Sequence, residues 1–231
     1  MQWTRGYAFS NVFIALGVFR FDGETRLTHL SLRGTVGRLC SGQNRISLRT
    51  HLLYYSSKPM NKLFIICGLS FAGKSTLAQA MVESLGHEEV DVDNTKIALY
   101  GSNVQDNTLT REEWDRVYEE TDRQIIDLLN SGKNVIDASR YFTRAERSHI
   151  RSIADTLGCQ TVTIYVTTSE AIVRQRWQEN RTTQSRRDVT DNDFEDLVRA
   201  MEPPVTDEHP IIFQNGDDIG TWIRANTQVL K

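Results

Sequence analysis

The sequence GLSFAGKST, residues 68–76, places two glycines and a lysine directly before two hydroxyl side chains. It matches the pattern G-x-x-x-x-G-K-[ST] without exception. Glycines let the backbone curl so that successive N–H groups point at phosphate oxygens. The lysine of this pattern reaches the β- and γ-phosphates, and the serine hydroxyl binds Mg²⁺. We predict that ATP and Mg²⁺ bind here through Gly68, Leu69, Ser70, Phe71, Ala72, Gly73, Lys74, Ser75 and Thr76.

Carboxylates elsewhere in the chain are the next candidates for chemistry on a bound phosphate. Asp91 and Asp93 alternate in the stretch EVDVD, residues 89–93, and Asp137 lies in NVIDAS, residues 134–139. A carboxylate opposite the loop can orient a hydroxyl in line with the γ-phosphate. We favour Asp93 over Asp91 for this role, with the other aspartate structural or bound to Mg²⁺. Asp137 is placed to hold Mg²⁺ through water, or alternatively to cap the following turn.

Five arginines lie in the stretch VRQRWQENRTTQSRR, residues 173–187. They are Arg174, Arg176, Arg181, Arg186 and Arg187. Guanidinium groups that close over a transferring phosphoryl group stabilise its charge. The alternative is a solvated charged helix, which is common. Because the stretch follows a strong strand and precedes a loop and another helix, we predict that it is an arginine-rich lid.

Alternating strand-like and helix-like segments must position these side chains. The predicted strands are residues 62–67, 89–93, 134–139, 161–167 and 210–215. KLFIIC, the first, is a continuous apolar run, as expected for a strand buried on both faces. Among the intervening helices, two begin with the T-x-x-E capping pattern at Thr110 and Thr143. The last two predicted helices span residues 190–201 and 218–230.

This alternation predicts an α/β fold of three layers, the P-loop NTPase fold. Its mainly parallel five-stranded sheet is covered by helices on both faces and carries the lid. Ligands bind such sheets at the carboxyl ends of the strands. The phosphate loop and the candidate carboxylates follow strands, so we expect them at one edge.

The composition excludes several other classes of site. Cys40, Cys67 and Cys159 form no C-x-x-C pair, and the five histidines have no metal-ligand spacing, which argues against a zinc site or a disulfide framework. Widely spaced cysteines are typical of a reducing compartment, and we predict a cytoplasmic protein. The net charge of −3 gives no nucleic-acid or membrane signal.

Residues 1–59 form a basic leader with eight Lys/Arg against two Asp/Glu, whereas residues 60–231 hold 19 against 28. The longest apolar run, residues 7–19, is too short to span a bilayer. The leader has three interpretations: an organellar transit peptide, a basic arm that contacts a partner, or sequence outside the native protein. We favour the last, with translation starting at Met60 and residues 60–231 forming one P-loop kinase domain. A transit peptide would make the protein organellar.

Motif content narrows the use made of the nucleotide. The N-K-x-D guanine signature of GTPases is absent. About 170 residues leave little room for the coupling machinery of a motor or transporter ATPase. The acidic segment after the second strand and the arginines after the fourth suit a small phosphotransferase better.

From Lys62 to about Trp222 the chain resembles the small P-loop kinases that include polynucleotide 5′-kinase domains, chloramphenicol phosphotransferase and zeta-type toxins. Their pattern is a phosphate loop, Asp-x-x-Arg after the second strand, Asp-x-x-Asn after the third, and an arginine-rich lid. The resemblance implies that Asp93 accepts the proton of the attacking hydroxyl and that Arg176 and Arg181 act from the lid.

Two positions depart from that pattern. Lys96 occupies the place of the substrate-anchoring arginine, and Arg140 replaces the asparagine. Without the planar guanidinium fork, bidentate phosphate recognition is weakened, which disfavours a nucleic-acid 5′ end as the acceptor. We predict substrate contacts by Asp93, Lys96, Arg140 and Arg144. For Arg144 and Arg147, which lie on the helix after the third strand, surface pairing with Glu146 or Asp155 is the alternative. Asn215 and Gly216 lie where related kinases contact adenine.

We therefore predict an ATP- and Mg²⁺-dependent kinase acting on the hydroxyl of a small molecule. The alternatives are an ATPase or switch that regulates a protein partner, a polynucleotide 5′-kinase, and a nucleotide-binding protein without catalysis.

Overall fold

The computed structural model describes residues 61–184, 186 and 189–231. Predictions for the leader, for Met60 as the first residue and for Arg187 in the lid lie outside the described residues. Everything below concerns the described part of the chain.

Five strands form one sheet. They are β1 (Lys62–Cys67), β2 (Glu88–Val90), β3 (Val135–Asp137), β4 (Gln160–Thr167) and β5 (Ile211–Gln214). The spatial order is β2-β3-β1-β4-β5, and every neighbouring pair is parallel. The predicted five-stranded parallel sheet is confirmed, with the strand of the phosphate loop at its centre.

Helices alternate with the strands, as predicted. They are α1 (Lys74–Leu85), α2 (Val92–Tyr100), α3 (Arg111–Asn130), α4 (Arg144–Thr156), α5 (Glu170–Thr183), α6 (Asp191–Ala200), α7 (Ile219–Ala225) and α8 (Thr227–Leu230). Short 3₁₀ turns lie at Asp106–Thr108 and Thr206–Glu208. No helix within the described ranges is long and apolar enough to cross a membrane.

Two helix starts follow directly from local sequence. Thr110 and Thr143 each accept a hydrogen bond from the backbone of the residue three positions on, and Glu113 and Glu146 reciprocate. These capping boxes satisfy backbone donors that a helix start leaves unpaired, so the beginnings of α3 and α4 are set by four-residue patterns.

Strand β1 is buried on both faces, which gives the three layers. Phe64 and Ile66 belong to the core on the side of α1, while Leu63 and Ile65 belong to the core on the side of α3 and α4. All four side chains are fully buried. Burying an apolar strand on both faces is the expected consequence of a parallel sheet sandwiched between helices.

Two predicted elements differ from the structure. The second strand ends at Val90, because Asp91 caps α2 by accepting hydrogen bonds from the backbone N–H groups of Asp93 and Asn94 at 2.8 and 3.0 Å. The prediction that Asp91 and Asp93 alternate along one strand face is therefore wrong, since Asp93 lies in the first turn of α2.

The predicted final helix, residues 218–230, is divided into α7 and α8 at Asn226. The side-chain amide of Asn226 donates to the carbonyl of Trp222 at 2.8 Å. Asparagine competes with the backbone for such bonds, which favours an interruption at this position.

Candidate active site

The phosphate loop connects the end of β1 to the start of α1. Gly68 adopts a φ of 143°, and a Cβ atom there would lie 2.7 Å from the backbone oxygen of Val166 in β4. Phe71 and Gly73 also have positive φ, 65° and 109°. These conformations curl the chain into the shape that directs N–H groups toward an anion.

Lys74 lies folded over this loop. Its Nζ donates to the carbonyls of Gly68 and Leu69 at 2.9 and 3.0 Å, and its side chain is 8% exposed. Burial, followed by the positive charge of Arg186, lowers the pKa of Lys74 to about 8. A bound phosphate would place a negative charge beside this buried ammonium group and so stabilise its charged form.

The first turn of α1 completes the anion site. Ser75 and Thr76 are exposed there, next to the positive end of the helix dipole. The predicted nucleotide residues 68–76 thus bring together curled backbone, one cation and three hydroxyl side chains between β1 and the first turn of α1.

Asp137 ends β3 and pairs in register with Ile65 of β1. Its carboxylate is fully buried and accepts hydrogen bonds from the N–H and the hydroxyl of Ser139 at 3.0 and 2.7 Å. Its second oxygen accepts from the Tyr141 hydroxyl at 2.7 Å and from Nε of Arg140 at 3.2 Å. The alternative predicted for Asp137, a carboxylate that caps the following turn, matches these contacts.

Ser139 connects Asp137 to the helix that carries Asp93. The hydroxyl of Ser139 accepts from the backbone N–H of Val92 at 3.0 Å while it donates to Asp137. The start of α2 therefore lies beside the end of β3, although the two are more than 40 residues apart in sequence.

Two carboxyl groups at this corner have raised pKa values, those of Asp91 and Glu89. Burial raises the pKa of Asp91, and the negative charges of Asp93 and Asp137 raise it further. Hydrogen bonds from the backbone N–H groups of Asn94 and Asp93 act in the opposite direction. Burial, then Asp91 and Asp137, raises the pKa of Glu89. We call Glu89, Asp91, Asp93 and Asp137 the carboxylate corner. Its excess negative charge fits a site that a divalent cation would stabilise.

The described residues offer Mg²⁺ few protein ligands. Residues 61–184, 186 and 189–231 contain no group of three His, Cys, Asp or Glu side chains arranged to hold a metal ion. Protein-bound Mg²⁺ usually keeps several waters and binds one or two side chains plus substrate phosphates. The exposed hydroxyl of Ser75 and the carboxylate corner suit that mode.

Lys96 and Arg140, both predicted to contact substrate, are held between carboxylates. Lys96 is fully buried, with Nζ 2.5 Å from Oδ1 of both Asp93 and Asp106. Arg140 contacts Asp122 and Asp137 and is only 11% exposed. Neither cation reaches solvent without breaking an ion pair.

Arg144, the third predicted substrate cation, pairs with Asp207 at 2.5 Å, and both side chains are more than half exposed. Arg147, its neighbour on α4, is fully buried against Glu208 at 2.7 Å. For Arg147 the alternative of surface pairing with Glu146 or Asp155 is therefore wrong, since Arg147 instead ties α4 to the turn before β5.

The arginines of the lid divide into two groups. Arg176 donates to the loop carbonyls of Phe71 and Ala72 at 3.1 and 3.3 Å, and the guanidinium of Arg186 lies 5.2 Å from the Phe71 ring centroid. Arg174 and Arg181 have partners on α5 and α6: Arg174 binds Glu170 and Glu195, and Arg181 contacts Asp191. Arg176 and Arg186 are thus the arginines of the described part of the lid that contact the phosphate loop.

Packing of aromatic rings joins the two lid helices. Trp177 of α5 and Phe194 of α6 are stacked with ring centroids 4.1 Å apart, and Trp177 is 6% exposed. Arg181 covers the other side of this stack, 4.3 Å from the Trp177 centroid. Trp177 is therefore a packing residue.

A cleft of about 550 Å³ opens between the loop, the lid and the segment after β5. Its volume is in the range of small-molecule sites. Asn215 and Gly216, predicted near adenine, line it together with Arg176 and Arg186. The cleft continues from the phosphate loop, so it is suited to the nucleoside part of a nucleotide.

Two residues of the site escaped the sequence analysis. The hydroxyl of Thr168, directly after β4, donates a hydrogen bond to the carbonyl of Ala72 at 2.9 Å. Tyr141 is buried and has a φ of 79°. The position of Thr168 beside the central strand could have indicated its role, whereas nothing in the local sequence marks Tyr141.

Solved structures confirm the fold. A presumed kinase from Chloroflexus aurantiacus is 19% identical, with a TM-score of 0.60 over 74% of this chain and 98% of that one. The APS kinase CysC of Mycobacterium tuberculosis, solved with AMPPNP and APS, is 15% identical with a TM-score of 0.55 over 74% and 98%. A chain of the Pnkp1/Rnl/Hen1 RNA repair complex is 19% identical with a TM-score of 0.51 over 61% and 44%.

At these identities the structures show a shared fold, that of small P-loop kinases, as the resemblance predicts. No curated protein sequence matches the chain at a significant level. The family model described as AAA domain matches residues 63–204, from β1 through the lid, and the chain belongs to this family.

Proposed function

We propose that residues 60–231 form an ATP- and Mg²⁺-dependent kinase that transfers the γ-phosphate to a hydroxyl of a small molecule. One observation carries the proposal. Hydrogen bonds connect β3, the strand beside β1 and its phosphate loop, to the start of α2. Asp137 beside β1, Ser139 and Val92 form this connection. It brings Asp93 to the same sheet edge as Lys74, so a phosphate donor and a carboxylate can serve one reaction.

The phosphate loop binds the donor in this proposal. Backbone N–H groups of residues 68–76 and the helix end surround the β- and γ-phosphates, and Lys74 places its positive charge on them. Ser75 would hold Mg²⁺, and Asp137 would join it through water only after exchanging one of the four donors that its oxygens bind. The ion would supply charge neutralisation at the phosphates.

Asp93 is the proposed base. Its side chain is 54% exposed at the start of α2, so an acceptor hydroxyl can approach it. The carboxylate orients the hydroxyl in line with the γ-phosphate and accepts its proton as the new O–P bond forms. Arg176, already on the loop, stabilises the negative charge of the group in transfer. Arg181 would join it only after leaving Asp191.

A small acceptor suits the charges of the described residues better than a polynucleotide. Lys96, at the place of the substrate-anchoring arginine, and Arg140, also predicted to contact substrate, are each engaged by two carboxylates. Residues 60–231 are acidic overall, with 19 Lys/Arg against 28 Asp/Glu. A nucleic-acid site usually presents a basic face. The likeness to an RNA repair complex nevertheless keeps a polynucleotide 5′-kinase as the second candidate.

A screen of acceptors tests the proposal directly. The protein is incubated with Mg²⁺ and γ-labelled ATP, and transfer is measured to hydroxyl metabolites, nucleosides, aminoglycoside- and phenicol-type drugs, and a 5′-hydroxyl oligonucleotide. Transfer to a small molecule is expected. Fast ATP hydrolysis that no acceptor alters would instead identify an ATPase, and transfer to the oligonucleotide alone would favour the second candidate.

Asp93→Asn tests the base without knowledge of the acceptor. Kinases of this type transfer phosphate slowly to water, and removal of the base should lower that rate by about 100-fold while ATP affinity is retained. Asp115→Asn, an exposed carboxylate on α3, is the matched control. If Asp93→Asn turns over ATP at the wild-type rate, the assignment of Asp93 is wrong.

A further inference from the structure

Lys96 is an ammonium group buried behind two carboxylates. Its side chain has no exposed surface, while the side chains of Asp93 and Asp106 that flank it are 54% and 49% exposed. Its Nζ lies 2.5 Å from an oxygen of each and 5.1 Å from the ring centroid of Trp114. The cation therefore faces inward and the anions face solvent.

This arrangement does not suit direct contact with substrate. An acceptor could reach the ammonium only by displacing one of the two carboxylates, which would leave that carboxylate without its partner. A buried cation is costly unless it is paired and hydrogen-bonded, and here both partners are aspartates. The contacts instead determine where the carboxylate of Asp93 lies, because Lys96 is one helical turn after it and rigidly packed.

The same ammonium connects α2 to the segment between α2 and α3. Asp106 begins the 3₁₀ turn in that segment, and its backbone carbonyl accepts a hydrogen bond from Nε1 of Trp114 at 3.2 Å. Lys96 thus joins three parts of the chain: the helix that carries Asp93, the turn at Asp106 and the first turns of α3. We call Asp93, Lys96 and Asp106 the lysine clamp.

We propose that Lys96 is a positioning residue, which fixes the carboxylate of Asp93 for proton acceptance and holds the 101–110 segment against α2. This inference rests on the proposed kinase function, in which Asp93 is the base. It assigns to Lys96 a role different from the substrate contact that the resemblance implies. Lys96 acts through Asp93 and touches neither ATP nor the acceptor.

Lys96→Met, which keeps most of the unbranched side chain and removes the charged end, tests the proposal by slow ATP hydrolysis. We expect kcat to fall by about 100-fold, the loss typical of a misplaced catalytic group, with the KM for ATP unchanged within about twofold. Lys96→Arg should restore kcat to within about tenfold of wild type, because a cation again pairs with both aspartates. Lys133→Met, which removes a surface lysine paired with Glu88, is the matched control and should leave both constants unchanged.

A double-mutant cycle tests whether Lys96 acts through Asp93. Lys96→Met added to Asp93→Asn should lower kcat no further than Asp93→Asn alone. Independent, multiplicative losses would overturn the proposal, as would a folded Lys96→Met protein with wild-type kcat. If Asp93→Asn itself keeps wild-type turnover, the proposed base fails and the inference falls with it, whereas an inactive Asp93→Asn beside a fully active Lys96→Met refutes only the inference.

Loss of the lysine could unfold the protein, so Asp106→Asn weakens the same clamp from its exposed side. Circular dichroism monitors folding of every variant. We expect a folded Asp106→Asn protein to lose about tenfold in kcat with an unchanged KM for ATP, since the cation keeps Asp93 but no longer anchors the segment. A folded Asp106→Asn protein with wild-type kcat would overturn the proposal.

Discussion

Arg176 donates a hydrogen bond from Nη2 to the side-chain oxygen of Asn215 at 2.7 Å, while its Nη1 contacts the carbonyl of Phe71 at 3.1 Å. One guanidinium therefore spans the cleft from the phosphate loop to the segment after β5. No other arginine among the described residues of the lid makes hydrogen bonds to the loop, so Arg176 is the lid arginine to which we assign the proposed phosphate chemistry.

Replacement of this arginine should reduce the chemical step more than nucleotide binding. We expect Arg176→Ala to lower kcat for ATP turnover by about 100-fold, because the charge that stabilises the transferring group is lost. Steady-state kinetics with the wild type and Arg199→Ala, an exposed arginine paired within α6, provide the comparison. An Arg176→Ala protein with unchanged kcat would exclude this role.

Gly68 should tolerate no side chain. Its φ of 143° is rarely adopted by other residues, and a Cβ would lie 2.7 Å from the backbone of Val166. We expect Gly68→Ala to reduce the free energy of unfolding by at least about 2 kcal/mol and to abolish nucleotide binding. Urea denaturation and fluorescence titration with a labelled nucleotide measure the two effects.

Gly158→Ala is the control for the change in Gly68. Gly158 also has a positive φ, 67°, but a Cβ there would meet nothing within 4 Å. We expect a loss of about 1 kcal/mol from backbone strain alone, with wild-type nucleotide affinity. Equal effects of the two substitutions would show that the contact with Val166 is unimportant.

Nucleotide affinity should depend on pH through Lys74. Its pKa is lowered to about 8 without nucleotide, so the ammonium is charged below pH 8 and neutral above it. ATP binds the charged form better, and its affinity should fall as the pH rises through 8, with Kd about tenfold weaker one unit above that value. Isothermal titration calorimetry between pH 7.5 and 9.5 measures this change while the charge on ATP stays constant.

Lys74→Met identifies the group responsible. Its ATP affinity should be weaker than that of the wild type at pH 7.5, and its Kd should be nearly constant up to pH 9.5 since the titrating ammonium is gone. A variant that kept the full wild-type pH dependence would place the titration on another residue.

Local patterns in the sequence determined much of this protein. The phosphate loop, the two capping boxes and the apolar run of β1 are contiguous, and each depends on backbone conformation or burial that its own residues impose. The alternation of strands and helices was therefore enough to predict the parallel sheet. The predicted end of the second strand is wrong because an aspartate at a strand end can also cap a helix, and the local sequence does not distinguish the two roles.

The tertiary structure alone decided which charged side chains meet. Arg176 and Arg181 are equivalent as sequence, yet Arg176 contacts Phe71, 105 residues away, while Arg181 contacts Asp191 within the lid. The resemblance implies a substrate contact for Lys96, whereas only the fold shows that Asp106 and Trp114 lie around its ammonium. Long charged side chains have many partners within reach, and only packing of distant segments selects one. The local sequence therefore determined the phosphate loop, and the fold determined the partners of the charged side chains elsewhere in the site.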